Sequence, residues 1–188
     1  MVGTIDEFRA QLIGGGARAN QFKVEINNPR NAGAININLR QAAFLCSATS
    51  LPAMSVEEIE VPFRGRTIRI AGDRDFADPW TVTFINDTDF ALRNQLEIWS
   101  NSINDLATGS GLTRTTDYVA DLSVTQLDRD NTPLKTYLFV NAWPQAIGEI
   151  ALASESANEI EEFEVTWRYQ HFVTTGVGSG VADIPAIF

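Results

Sequence analysis

Three closely spaced aspartates near the middle of the chain, Asp73, Asp75 and Asp78, suggest a calcium-binding loop. Calcium prefers carboxylate oxygens, and the EF-hand loop also needs a glycine at its sixth position and a glutamate at its twelfth. Counted from Asp73, those positions hold Asp78 and Phe84. The spacing does not fit an EF-hand, and we predict neither a metal nor a cofactor for this protein.

Catalytic residue types are also scarce. His171 is the single histidine and Cys46 the single cysteine. One histidine and one cysteine fall short of the usual ligand count of a zinc site. No serine lies in a Gly-x-Ser-x-Gly motif, and a Ser-His-Asp triad would need the one histidine. Paired carboxylates for glycoside hydrolysis stay open, so a β-sandwich hydrolase is an alternative, but the residues favour a protein that is not an enzyme.

The composition is acidic, with 24 Asp and Glu against 14 Lys and Arg and a net charge of −10. Such a surface repels phosphate, which argues against tight nucleic-acid binding. The 188 residues suffice for one domain with its own hydrophobic core. The N-terminus has acids where a signal peptide has bases, and no apolar run approaches the roughly 18 residues of a membrane helix. We therefore expect synthesis in the cytoplasm and no membrane anchor.

Two segments have helical periodicity. Residues 3–13 place Ile5, Phe8 and Leu12 on one face, which predicts a short amphipathic helix. The glycines at 14–16 follow it as a flexible hinge.

A longer helix is predicted after Asp87 or Thr88, either of which can act as its N-cap. Its apolar stripe is expected to pack against a sheet rather than against a partner helix, and the glycines at 109 and 111 end it. The stripe consists of Leu92, Leu96, Trp99, Ile103 and Leu106.

Alternating apolar and polar residues predict seven to eight strands. Arg64 and Gly65 separate a glutamate-rich run from an arginine-rich one, which predicts a hairpin held in register by charge pairs. The spacing predicts a mainly β fold, a sandwich or barrel of antiparallel strands with one flanking α-helix. The predicted strands cover residues 22–26, 35–39 continued by 44–47, 57–63, 66–70, 80–84, 120–125, 134–143 and 162–169.

The segment Ala71–Asp87 resembles the central motif of the T4-like bacteriophage tail tube protein family, which forms the inner tube of contractile tails. The matches run from about Asn20 to Phe172. The sequence departs from the family pattern in a longer 27–41 region and in a glycine-rich tail. Three further pieces match in the same order: Thr49–Pro52, Trp143-Pro144 with Ile147–Glu149, and Asn158–Ile160 with Phe163–Thr166.

The resemblance implies a β-sandwich with a flanking helix that assembles into six-fold rings. The rings would stack into a tube inside a contractile sheath, and DNA would pass along the bore without specific binding. Expected partners are the protein itself, the tail sheath, and baseplate or terminator proteins, and the expected location is the virion tail. We divide the chain into an N-terminal arm and hinge (1–19), a tail tube domain (20–173) and a flexible C-terminal extension (174–188).

Two sets of candidate residues follow from this expectation. One set is expected to contact neighbouring subunits or rings: Arg64, Arg66, Asp73, Arg74, Phe76 and Asp78. The other set is expected to line the bore: Glu58, Glu60, Asp121, Ser123 and Thr125.

Other roles within injection machines stay open at this point. A tube-initiating baseplate protein and the inner tube of a phage-derived protein-injection particle fit the same sequence. For the loop at 72–79, closure by an Asp–Arg ion pair of its own is the alternative to contact with a neighbour.

Overall fold

The computed structural model describes residues 4–12, 16–30, 35–155 and 159–176. Some sequence predictions fall wholly or partly outside these ranges: the two ends of the helix at 3–13, the hinge at Gly14 and Gly15, part of the longer 27–41 region, Asn158 of the resemblance, and the extension beyond Gly176. The elements in chain order are α1 (Ile5–Gln11), β1 (Phe22–Ile26), α2 (Leu39–Leu45), β2 (Cys46–Thr49), β3 (Ser55–Phe63), β4 (Arg66–Asp75), β5 (Trp80–Ile85), α3 (Ala91–Ile103), α4 (Thr115–Tyr118), β6 (Ala120–Leu127), β7 (Pro133–Ile147), β8 (Glu162–Arg168) and β9 (His171–Gly176).

Seven strands form one antiparallel sheet in the order β1-β6-β7-β8-β5-β2, with β9 also paired to β7. The first part of β7 pairs with β6 and β9, and its last residues pair with β8. Between these parts Asn141 has a φ of 54°, and the register against β6 shifts between Ala120 and Leu122. Such an irregularity bends a strand, so β7 serves two layers that enclose the core. The mainly β sandwich predicted from the sequence is confirmed.

The core lies between these layers and under α3. Trp80 and Phe139 stack with their ring centroids 4.3 Å apart, and Trp99 of α3 meets Trp167 of β8 edge to face at 5.4 Å. Burying each large apolar side chain contributes about 1.5–3 kcal/mol. The buried alternate residues predicted for β5 and β8 are confirmed, namely Trp80, Val82, Phe84, Phe163, Val165 and Trp167.

The long helix is confirmed, but its predicted ends are wrong. Neither Asp87 nor Thr88 is the N-cap, because α3 begins after Phe90, which has a φ of 55° and no capping side chain. The Ala91 amide instead donates to Asp89 Oδ1 at 3.0 Å. At the other end, the Leu106 amide donates to Asn101 Oδ1. Because α3 ends at Ile103, Leu106 lies beyond the helix and is 96% exposed.

The predicted strand at 35–39 with its continuation at 44–47 is wrong. Ile35 and Ile37 are buried and Asn36 and Asn38 exposed, but the Asn28 side chain replaces a strand partner: its Oδ1 accepts from the Ile37 amide at 2.8 Å. Asn38 then caps α2 by accepting from the Gln41 amide. Local side-chain hydrogen bonds of this kind compete with a strand ladder, and only β2, from Cys46 onward, is a strand.

A ninth strand continues beyond the predicted last one. In β9, Phe172 and Thr174 are buried, and residues 171–176 pair with 135–140 of β7. Thr174 to Gly176, which the sequence assigned to a flexible extension, are part of the sheet.

Candidate assembly surface

The β3–β4 hairpin forms a two-stranded sheet of its own, apart from the seven-stranded sheet. Its turn is made by Arg64 with a φ of 47° and Gly65 with a φ of 80°. Two successive positive φ values are typical of the two-residue type I′ turn, which matches the twist of paired strands. The predicted hairpin is therefore confirmed, and it is longer than the alternation indicated.

One face of the hairpin is apolar and lies in solvent. Ile59 lies opposite Ile70, and Val61 lies opposite Ile68. Together with Phe63 they form what we call the apolar face of the hairpin. Their exposed fractions lie between 40% and 57%. A hairpin of two strands is marginally stable in water without a layer against its apolar side.

The opposite face carries charge. Arg69 lies 3.6 Å from a carboxylate oxygen of Glu58 and 3.3 Å from one of Glu60. Both carboxylates and the guanidinium are more than half exposed, and exposed pairs contribute at most about 1 kcal/mol each. Arg69 therefore offsets part of the negative charge that Glu58 and Glu60 give to this face.

The hairpin bends near its base. One residue lies between Val56 and Glu58, but two lie between their partners Arg74 and Ala71, so β4 carries an extra residue there. A Cβ at Gly72 would lie 3.1 Å from the backbone oxygen of Glu57. The close approach of the two backbones at this bulge explains the glycine.

The predicted contact residues divide into two groups. Arg64, Arg66, Asp73, Arg74 and Asp78 are exposed. Phe76 instead is half-buried and packs edge to face on Phe172 at 5.5 Å, against the chain's own core. The sequence pointed to charged residues and missed the apolar face, although the matched alternation on the two arms contained its signal.

The loop between β4 and β5 is closed by groups other than the Asp–Arg ion pair that was the alternative to contact with a neighbour. Asp75 Oδ1 accepts from the Ala77 amide at 2.8 Å, and Arg168 Nη1 donates to the Ala77 carbonyl. The ion pairs found in the described residues do not join Arg74 to either neighbouring aspartate. Burial, with the nearby Asp78 carboxylate as the next cause, raises the pKa of the Tyr169 hydroxyl beside this loop.

The predicted bore residues lie on two separate surfaces. Glu58 and Glu60 belong to the charged face of the hairpin, and the other three lie on β6. Ser123 and Thr125 are each 9% exposed. The Ser123 hydroxyl donates to Glu25, and the Thr125 hydroxyl bonds Thr136. The carboxylate of the third, Asp121, accepts from the Asn141 amide at 3.0 Å, so it holds the bend of β7.

Within the described ranges, no group of three or more His, Cys, Asp or Glu side chains is placed to hold a metal ion. None of the described helices is long and apolar enough to cross a membrane. The geometry presents an exposed apolar hairpin and a polar sheet face, and both are surfaces suited to assembly.

Comparison with known proteins also indicates a protein that forms part of an assembly. The model of the phage tail tube protein family matches residues 17–175. The tail tube protein gp19 of Enterobacteria phage T4 is 39% identical over 166 residues, which are 86% of this chain and 93% of the relative. The tail tube protein of Serratia phage KSP90 is 29% identical over 168 residues, which are 88% of this chain and 94% of the relative.

Solved structures share the fold at low identity. A chain of the PVC sheath/tube terminator, from an extracellular contractile injection system, superposes with a TM-score of 0.60 at 16% identity, covering 86% of this chain and 97% of that one. The tube-terminating cap of the anti-feeding prophage gives a TM-score of 0.61 at 15% identity, covering 86% and 92%.

Proposed function

The chain belongs to the phage tail tube protein family and is a subunit of the inner tube of a contractile tail, and we propose that six copies form a ring and that rings stack through the β3–β4 hairpin. The observation that carries this proposal is the hairpin's apolar face, which its own chain leaves in solvent. The family match over residues 17–175 supports the proposal, because a tube is built from repeated subunits. We assign the protein no catalytic role.

Coverage of the apolar face is the driving force that we propose for stacking. Burial of apolar surface stabilises by about 25 cal/mol per Å², and five large side chains on one face of the hairpin offer a continuous contact. The occupant is a second copy, because the same hairpin is repeated in every subunit. Arg64 and Arg66 lie at the tip of the hairpin, and Asp73, Arg74 and Asp78 lie at or beyond its base. These five residues are proposed to select the register of the contact through charge pairs.

Ring closure is proposed to use the open sheet edges. In the single chain β1 and β2 end the strand order, and an unpaired edge is a ready template for another strand. Pairing across subunits would join the six sheets into one barrel and remove these edges. Sheath, baseplate and terminator proteins are the further partners, and synthesis takes place in the host cytoplasm before incorporation into the tail.

The bore is proposed to be lined by hydroxyl and acidic groups. The candidates remain Glu58, Glu60, Asp121, Ser123 and Thr125. Six chains at −10 each give 6 × (−10) = −60 per ring before counterions condense. A lining of this sign repels phosphate, so DNA slides through the bore without lodging.

The proposal is tested by tube formation of hairpin variants. Ile59→Asp places a charge on the apolar face, whereas the matched control Thr67→Asp places the same charge on the opposite face of the same hairpin. Negative-stain microscopy is expected to show tubes for the wild type and the control, and none for Ile59→Asp. Residue 59 is exposed. The unfolding temperature of Ile59→Asp should therefore shift by no more than that of an ordinary surface substitution.

Tubes of normal length from Ile59→Asp would contradict the role of the hairpin. Isolated rings from the wild type would favour the tube-initiating role instead. A reconstruction of the tube that places Ser123 and Thr125 on the outer wall would overturn the proposed bore.

A further inference from the structure

The short helix α1 exposes an apolar stripe. Ile5 is 79% exposed, Phe8 67% and Leu12 37%. A capping box closes its start: the Thr4 amide donates to Glu7 Oε2 at 2.8 Å, and the Glu7 amide donates to Thr4 Oγ1 at 3.3 Å. Helices this short are marginal in water on their own. The sequence thus builds a defined helix whose apolar side still needs a surface to cover it.

A groove of suitable character lies between β1 and α2. It encloses about 590 Å³, and its walls include Phe22, Ile26, Ala43, Phe44 and Leu127. Phe44 is 75% exposed although it lies on a wall of the groove. Apolar grooves of this kind receive amphipathic helices through side chains spaced at i, i+3 and i+7, which is the spacing in α1.

The charged residues that line the groove have a net charge opposite to that of α1. They are Lys23, Glu25 and Arg40, and their charges sum to +1. The helix segment carries Asp6, Glu7 and Arg9, which sums to −1. The attraction is small, so apolar contact must supply most of the affinity while the charges favour this partner over a like-charged one.

The root of the N-terminal arm is fixed beside the same groove. Gln126 Nε2 donates to the carbonyl oxygens of both Arg18 and Gln21 at 2.7 Å. The Leu127 amide donates to the Gln21 carbonyl at 2.8 Å, and Leu127 is part of the groove wall. Although the arm starts at its own groove, α1 lies with its stripe in solvent.

We infer that α1 of one copy docks in the β1–α2 groove of a neighbouring copy. The inference rests on the proposed tube, which supplies a second copy at high local concentration. It goes beyond the hairpin contact, because it uses two surfaces that the hairpin leaves bare. Each subunit then gives one helix and receives one, and this exchange ties subunits together along the assembly.

The test is disulfide crosslinking in assembled tubes. All variants carry Cys46→Ala, so that introduced thiols react alone. Leu12→Cys on the stripe is mixed with tagged Ala43→Cys in the groove, the mixture is assembled and oxidised, and heterodimers are counted on a non-reducing gel. Ala10→Cys, on the opposite side of α1, is the matched control. We expect a heterodimer yield about tenfold above the control, because docking raises the effective concentration of the two thiols.

The outcomes separate this inference from the proposed tube. Tubes that form normally but crosslink no better than the control overturn the docking and leave the tube standing. A crosslink inside single chains of a Leu12→Cys, Ala43→Cys double variant kept monomeric, with none between chains, shows that each helix covers its own groove and also overturns it. Absence of tubes from the unmodified protein refutes the proposed function, and the inference falls with it.

Discussion

Arg93 reaches from α3 to the end of β7, where its Nη1 donates to the carbonyl oxygen of Gly148 at 3.1 Å. The same guanidinium lies over the Phe163 ring, 5.2 Å from its centroid, and donates from Nε to Glu97 at 2.9 Å. The Arg93 side chain is 18% exposed. One residue therefore fastens the flanking helix to two strands of the sheet.

Arg93→Ala is expected to lower the free energy of unfolding by about 2 kcal/mol, since it removes a charged hydrogen bond and a contact with an aromatic face. Glu97→Ala is the control, because it deletes only an exposed partner and should cost at most about 0.5 kcal/mol. Urea unfolding of the unassembled subunit measures both. Equal losses would show that the contact with Gly148 contributes little.

Leu96 and Leu106 belong to one apolar stripe in the sequence but to opposite environments in the structure. Leu96 is fully buried and Leu106 is 96% exposed. Leu96→Ala should cost about 2–5 kcal/mol through lost burial and the cavity left behind. Leu106→Ala should stay within about 0.5 kcal/mol. Thermal unfolding distinguishes them, and a comparable loss from Leu106→Ala would contradict the helix end at Ile103.

Asn28 substitutes for a strand partner of Ile37. Its Oδ1 accepts from the Ile37 amide at 2.8 Å and its Nδ2 donates to the Ile37 carbonyl at 3.4 Å. Asn28→Ala should cost about 1–3 kcal/mol, because it leaves part-buried backbone groups without partners. Asn36→Ala, at an exposed neighbouring position, should be close to neutral. Hydrogen exchange offers a direct readout: the Ile37 amide should exchange faster in Asn28→Ala alone.

Burial raises the pKa of the Cys46 thiol from its ordinary value of 9.0 to about 12. At pH 8 the thiolate fraction should fall from roughly one in ten to about one in 10⁴, so alkylation should be slower than for a free thiol by a factor on the order of 10³. The folded state keeps its proton above pH 9 where the unfolded chain loses it, so this group stabilises below pH 9 and its contribution is lost as pH rises toward 12. Timed alkylation with and without urea checks this; rapid labelling of the folded protein would contradict it.

Much of the fold follows from local patterns. The alternation of Trp80, Val82 and Phe84 needs one face toward a core, and Gly65 supplies the backbone freedom that a two-residue turn demands. The ordered motifs around Ala71–Asp87 already indicated a structural building block. These features depend on residues near each other in sequence, which is why the sequence by itself determined them.

Tertiary structure decided what depends on distant partners. The alternation at Ile35 and Ile37 became an extended segment followed by a helix, because Asn28 and Asn38 satisfied backbone groups that a strand would have paired. The bend of β7 relies on the Asp121 carboxylate, placed there by a different strand. The apolar face of the hairpin became visible as a surface only once β3 and β4 were seen to stand apart from the main sheet. Burial is a property of the whole fold, and alternation alone does not tell whether an apolar face meets its own core or another copy.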